Sequence, residues 1–332
     1  MQQRRRYLAW TAAMSATLLA LVAAAFLRGA SSVSLPELLT WASGGEVSET
    51  AKSILANIRL PRVIAALLVG AGLAVAGAII QGVLDNPLAS PNVIGINSGA
   101  GLAVLIAAAI FPAAHWLPPL AAFGGALLTA LVVFALSLGS GVSRMTVVLA
   151  GIALTTVLGA GMNTVLIVNP DAYVGSAQFL VGGLSGILMR DIPWPAAYIV
   201  VGIAAACLLS GKLNILSLGE ETAHSLGMNV TLWRLLLLAL GAVLAGASVS
   251  MAGILGFVGL IVPHIVRFLA GSDNRWLVPL SALFGAGFVV ACDMLARTLF
   301  APYELPVGIL MSFAGGPFFI YLIIRNRRGG LD

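Results

Sequence analysis

Apolar runs of roughly twenty residues recur along the whole chain, and each is long enough to cross the hydrocarbon core of a bilayer as a helix. Reading for such runs places spans at about 7–27, 63–84, 93–111, 117–138, 145–168, 194–210, 232–251, 253–269, 277–299 and 307–324. The eighth is the irregular one. Its apolar part, Gly253 to Val262, ends at Pro263, His264 and Arg267, as a short or re-entrant helix would. The fold class that follows is an all-α polytopic membrane protein with about ten transmembrane helices, organised as a single domain over residues 1–332.

Composition agrees with that reading. Of 332 residues, 60% are hydrophobic and 9% charged, with a mean hydropathy of +1.05, whereas soluble domains are roughly a quarter charged. The 38 glycines suit closely packed membrane helices, where a missing side chain lets backbones approach. Gly95 and Gly99 form a GxxxG pair, a weak signal in so glycine-rich a chain. The net charge of +5 lies in loops and tails and reports orientation, not nucleic-acid binding. Cys207 and Cys292 each lie in an apolar run and read as packing residues, with neither a disulfide nor a metal framework implied.

Charge sets the topology. With ten spans both termini are cytoplasmic, and the inside carries Arg4, Arg5, Arg6, Arg144, Lys212, Arg234, Arg267, Arg275, Arg325, Arg327 and Arg328, which is eleven of the 17 basic residues. Trp10, Trp116, Trp194, Trp233 and Trp276 fall near predicted span ends, where interfacial aromatics sit. Two outer segments are long. Arg28 to Arg62 contains a predicted short helix over Leu35–Ala42 with Pro36 near its start, and Asn169 to Pro193 contains an apolar piece, Val174 to Leu188, expected as a short helix near the outer surface.

On the cytoplasmic side the longest polar interruption is 213–230, LNILSLGEETAHSLGMNV. From Ser217 onward Leu218, Ala223, Leu226 and Met228 alternate with Glu220, Glu221, His224 and Ser225, so a short helix there would turn one face to the bilayer and one to a soluble partner. Gly219 and Gly227 bracket it as start and stop. Periodicity alone fits a solvated connecting loop equally well.

Several signatures are absent. The sequence holds no Walker A pattern, no GxSxG and no HExxH, so nucleotide, hydrolase and zinc sites have no recognisable motif. Apart from Arg234 and Arg267 near cytoplasmic span ends, the charged residues within spans are Asp293 and Arg297 near the outer end of the ninth, spaced to pair at i, i+4. An ion-coupled secondary transporter, the first rival reading, would keep an ionisable relay near mid-membrane. An intramembrane enzyme on lipid-linked substrates would need clustered polar residues within the spans. On the outer side Arg59 and Arg62, in RLPR, run against the positive-inside trend, and Arg297 closes the ninth span there. Such arginines either snorkel to headgroups or form a basic rim for an acidic partner, setting encounter and orientation.

Four stretches carry a family resemblance: Arg59 to Gly101 (RLPRVIAALLVGAGLAVAGAIIQGVLDNPLASPNVIGINSGAG), LGEETAHSLGMNV, Gly256 to Arg267 (GFVGLIVPHIVR) and Glu304 to Phe319 (ELPVGILMSFAGGPFF). In collinear order from about residue 55 to the C-terminus, the chain resembles the FecCD family of ATP-binding-cassette importer permeases, which serve ferric siderophores, haem and cobalamin.

The resemblance implies a type II ABC importer permease fold and a multi-pass subunit of the bacterial cytoplasmic membrane. It also implies a second permease subunit, identical or paralogous, two ATPase subunits beneath, and one extracytoplasmic substrate-binding protein above. No cofactor is implied on this chain; ATP and magnesium belong to the ATPase. Glu221, Ala223 and Gly227 match the importer coupling pattern, with Thr222 in place of a usual Ala, so Leu218, Gly219, Glu220, Glu221, Ala223, Leu226 and Gly227 become the expected ATPase-coupling residues. Arg59, Arg62 and Arg297 become the expected binding-protein docking residues. Asp85 to Asn92, DNPLASPN, is similar to the family's cytoplasmic turn, and His264 reads as satisfying loop or backbone groups. A roomy path for a large chelate would suit small residues, and Asn97, Ser98, Gly99, Gly101, Gly159 and Gly161 are the expected lining. An exporter permease, the remaining rival, fits neither the coupling pattern nor the outer arginines.

Overall fold

A computed structural model describes residues 2–29, 33–114, 116–138, 143–301 and 303–328. Among them every regular element is helical. Ten helices of thirteen residues or more follow one another: α1 (Gln2–Leu27), α4 (Leu60–Leu84), α5 (Ile96–Ile110), α6 (Leu117–Leu138), α7 (Arg144–Val168), α9 (Pro193–Leu216), α11 (Val230–Ala252), α12 (Val258–Ala270), α13 (Asn274–Thr298) and α14 (Val307–Arg328). Between them lie α2 (Leu35–Ala42), α3 (Glu49–Ser53), α8 (Asp171–Val181) and α10 (Glu220–Ser225). Seven described helices are long and apolar enough to cross a membrane, and the apolar parts of α5, α12 and α14 are shorter.

α4 is the axis of the bundle, buried along most of its length, whereas α1 and α7 bury few of their side chains. Lipid is as apolar as leucine, so helix association rests on close backbone contact. Small residues supply it here. A Cβ on Gly70 of α4 would lie 2.2 Å from the Gly285 carbonyl of α13, and one on Gly77 would lie 1.8 Å from the Gly259 carbonyl of α12. On the other flank α5 crosses α6 at Gly99 and Gly125, where a Cβ on Gly125 would come within 2.4 Å of the Gly99 carbonyl.

Two segments depart from simple crossing helices. Pro91 packs beside Gly259, which itself lies against Leu73 and Gly77 in the middle of α4. The turn is exposed over 85–88, and from Ala89 the chain folds back into the bundle, where a 3-10 turn over Pro91–Ile94 precedes a short α5. α12 begins at that same level. With 13 residues it is about 20 Å long, less than the roughly 30 Å hydrocarbon core. α12 starts mid-bundle, after the non-helical stretch 253–257.

α3 continues through a π-helical turn, Ile54–Arg59, into α4. The resulting rod of 36 residues is about 54 Å long and overshoots the hydrocarbon core. α2 forms where the sequence places it, with Ser34 and Glu37 closing a capping box and Pro36 in the first turn.

Candidate functional site

Chemistry-bearing side chains collect at the two ends of the bundle. At one end, the rod ending in α4 presents Arg59 and Arg62, three residues apart and so on one face, to α13 and to the loop before α14. The Arg62 Nε donates to both carboxylate oxygens of Asp293, at 3.0 and 3.1 Å, and its Nη1 donates to Glu304 at 2.7 Å. Arg297 reaches back one turn of α13 to Asp293 at 3.1 Å, and its Nη2 lies 3.5 Å from the carbonyl of Ala25 in α1. Arg59 donates to the carbonyl of Phe26. Asp293 and the three arginines are all buried, between 2% and 6% exposed.

The sequence predicted one of these contacts, the Asp293–Arg297 pair, and expected the arginines as an open rim. The structure gathers them, but under cover. An ion taken out of water without a partner costs several kcal/mol, so three guanidinium groups at a membrane boundary draw in the carboxylates available. Asp293 and Glu304 lie 231 and 242 residues from Arg62, separations at which no local spacing rule operates. Beside the network lies a cavity of about 220 Å³, lined by Arg62, Gln178, Leu184, Ser185, Glu304 and Pro306.

At the opposite end α10 joins α9 to α11. Gly219, at φ +100°, starts it and Gly227, at φ +77°, stops it, both in the left-handed region that glycine occupies without strain. The stop is a Schellman motif: the Met228 N–H bonds the Ala223 carbonyl at 3.1 Å and the Gly227 N–H bonds the His224 carbonyl at 2.9 Å. Ala223 and Met228 bury themselves in the accompanying contact, while Leu218 and Leu226 stay exposed at 59% and 62%. The apolar stripe predicted from the register therefore splits. One half holds the helix to its own protein, and Leu218, Leu226 and Gly227 remain exposed beside Glu220 and Glu221.

Polar contacts tie this end to the bundle. Glu220 meets the buried Arg234 of α11 at 3.2 Å. Asn214 at the end of α9 bonds Asp273 and Asn274 at the start of α13, at 2.7 and 2.8 Å. Arg144 bridges Asp85, at 2.7 Å, to the carbonyl of Leu216. Arg267 donates to Gln81, whose amide donates in turn to the Gly259 and Leu260 carbonyls. His264 packs edge-on against Phe318.

The expected path residues scatter. Gly159 faces open space, and Ser98 is half-buried. Gly99 is consumed by the α5–α6 crossing, Gly101 lies against Met162 and Ile254, and Gly161 against Leu102. Asn97 is buried, its Oδ1 without a hydrogen-bond partner among the described residues. A wider hollow of about 570 Å³ opens elsewhere, lined by Asn92, Leu180, Phe257, Ile309, Ser312 and Phe313. Phe257 holds φ +67° there, an uncommon conformation for a bulky residue, and its ring abuts Gly315 of α14. Composition marked none of these lining residues, because the hollow is made by chain folding between α8, α12 and α14. Among the described residues no group of three or more metal-ligating side chains converges.

The described residues thus form a glycine-packed polytopic bundle, with a capped surface helix at one end and an ionic cluster at the other. The family model of the FecCD transport family matches residues 17–325. The chain belongs to that family and is a multi-pass ABC transporter permease; its relatives include import permeases named for Fe(3+)-citrate, hemin and cobalamin. It is 38% identical over 299 residues to the Fe(3+)-citrate import system permease protein YfmD of Bacillus subtilis, covering 90% of this chain and 89% of that one. Identity is 41% over 280 residues to the hemin transport system permease protein HmuU of Yersinia pestis, covering 82% and 83%. It is 42% over 283 residues to the cobalamin import system permease protein BtuC of Halobacterium salinarum, covering 85% and 76%. A solved ABC transporter assigned to the metal-chelate type, in an inward-facing conformation, superposes with a TM-score of 0.82 at 27% identity, covering 94% of this chain and 98% of the other.

Proposed function

We propose that this chain is the permease subunit of an importer carrying a ferric chelate of the siderophore class across the bacterial cytoplasmic membrane, with both termini cytoplasmic. The observation that carries the substrate choice is chemical kinship among relatives: permeases for Fe(3+)-citrate in Bacillus subtilis and Escherichia coli and for Fe(3+)-hydroxamate in Bacillus subtilis match most of the chain at 38–40% identity. Haem is the second reading, favoured by the equal similarity to the hemin permease, and cobalamin stands beside it on the same ground.

In this reading two permease subunits, identical or paralogous, enclose the path. Each seats an ATPase against α10, where Leu218, Gly219, Glu220, Glu221, Leu226 and Gly227 offer a surface and Ala223 supplies the packing that holds it. ATP and magnesium act on the ATPase. Its closure pushes α10, and the Glu220–Arg234 contact and the short α9–α10–α11 connections pass the displacement to the spans, so that access alternates. The substrate-binding protein docks at the other end, over Arg59, Arg62 and Arg297, and supplies most of the selectivity. The test is uptake of radioiron as citrate, hydroxamate and haem complexes, with labelled cobalamin in parallel, by cells expressing the full system. Uptake of one ferric chelate abolished by deleting this gene supports the reading; uptake of haem or cobalamin alone replaces it with the second.

A further inference from the structure

The ionic cluster at the Arg62 end is unbalanced. Arg62 and Arg297 share the carboxylates of Asp293 and Glu304, and Arg59 brings a third guanidinium close to Arg297 beside Gly29. The two carboxylates are not equivalent. Asp293 is 2% exposed, chelates Arg62 through both oxygens and is flanked by Arg297 on its own helix. Glu304 has a third of its side chain exposed, makes a single ion pair to Arg62, and sits on the rim of the 220 Å³ cavity with Arg62 and Ser185. A single contact with one partner a third exposed to water exchanges more readily than a buried two-oxygen clamp, whose loss is strongly destabilising.

We propose that Glu304 is a built-in placeholder: it occupies, on the outward Nη of Arg62, the position that a carboxylate of the docking partner takes, and is displaced when that partner arrives. Asp293 holds Arg62 in place throughout, so the exchange swaps one anion for another without leaving a buried cation unpaired. The placeholder sets a threshold, since an acidic group must outcompete a tethered one, and this favours a partner presenting a rigid, preorganised carboxylate over stray acidic peptides. The same exchange frees the loop before α14, whose Glu304–Arg62 pair is, among the described residues, its one ion pair to α4. The proposal rests on the reading of this end as the docking face.

The test needs no purified partner. Ser185→Cys, in a Cys207→Ser background reconstituted in nanodiscs, places a thiol on the cavity rim. It is reacted with an anionic and a cationic methanethiosulfonate, with and without an acetylated hexaglutamate peptide. Glu304→Gln is expected to raise the anionic-to-cationic rate ratio at least fivefold and to lower the peptide concentration that protects the thiol by a similar factor; Glu304→Asp restores the original ratio. If the peptide protects wild type and Glu304→Gln equally, while Arg62→Gln removes protection, docking on the arginines stands and the placeholder is overturned. Protection unaffected by Arg62→Gln overturns both. The rate ratio follows the local charge whatever Glu304 does, so the shift in the protecting peptide concentration, reversed by Glu304→Asp, is the deciding readout.

Discussion

Arg62 and Asp293, 231 positions apart, meet through two hydrogen bonds of 3.0 and 3.1 Å on one guanidinium nitrogen, fastening the start of α4 to the end of α13. Both are buried, and removing Asp293 takes away the carboxylate that Arg62 and Arg297 share and leaves Arg62 paired with Glu304, a loss of up to about 3–5 kcal/mol. Asp293→Asn is expected to lower the midpoint of thermal unfolding in detergent sharply, followed by fluorescence-detected gel filtration. Asp293→Glu, which keeps the charge but lengthens the reach, should lose less. Equal midpoints for wild type and Asp293→Asn would mean that the cluster contributes nothing to holding these helices.

Backbone contact is the other fastening. A side chain at Gly285 meets the Gly70 carbonyl at 2.4 Å and the Ala74 methyl at 2.5 Å, neither of which can rotate away. Overpacking of this kind costs about 1–3 kcal/mol, occasionally more. Gly285→Val is expected to reduce the folded yield severalfold, measured as monodisperse protein per cell. Gly159→Ala, with nothing within 4 Å of its new methyl, is the control and should express as wild type.

Gly227 separates conformation from contact. Its positive φ costs a residue with a side chain about 1–2 kcal/mol, except that Asn tolerates the left-handed region best. Gly227→Asn should therefore keep most transport, and Gly227→Val should fray the Schellman stop. Gly227→Arg should insert normally yet abolish uptake by unseating the ATPase. Normal uptake in Gly227→Arg, with the protein at wild-type abundance, would remove the coupling assignment from this end.

The Glu220–Arg234 contact separates coupling from stability. Glu220 is 60% exposed, and glutamine keeps an amide oxygen to accept from the buried Arg234, so Glu220→Gln should lower the melting midpoint only modestly. ATP turnover of the assembled complex should persist while chelate transported per ATP falls severalfold. A parallel fall in both quantities would assign Glu220 to ATPase seating instead.

Much of this was legible in the sequence, for reasons that differ by element. Apolar runs of the right length mark helices in lipid regardless of their partners, and Ser34 with Glu37, or Gly219 with Gly227, are local chemistry that fixes local ends. What failed were statements about faces. The register of 218–228 put Leu218, Ala223, Leu226 and Met228 on one side, but the Schellman turn redirects Met228 onto Ala223 and leaves the two leucines outside. Gly99 was assigned to a path because glycine is small, and smallness equally serves a helix crossing; the position of α6 decides between them. The return of the chain into the bundle from Ala89 and the pairing of Arg62 with Asp293 and Glu304 are long-range facts. A sequence shows which residues want partners and leaves the partners unnamed.

The central claim is that energy enters at α10 and acidic recognition at the Arg62 end. The direct measurement is ATP hydrolysis by the complete complex in lipid, with and without the binding protein loaded with ferric citrate, a ferric hydroxamate, haem or cobalamin. The account predicts that turnover rises severalfold with the loaded binding protein, that one ferric chelate gives the largest rise, and that Gly227→Arg abolishes it. Uptake driven by an ion gradient with no ATPase bound, or stimulation that survives Gly227→Arg unchanged, would contradict it.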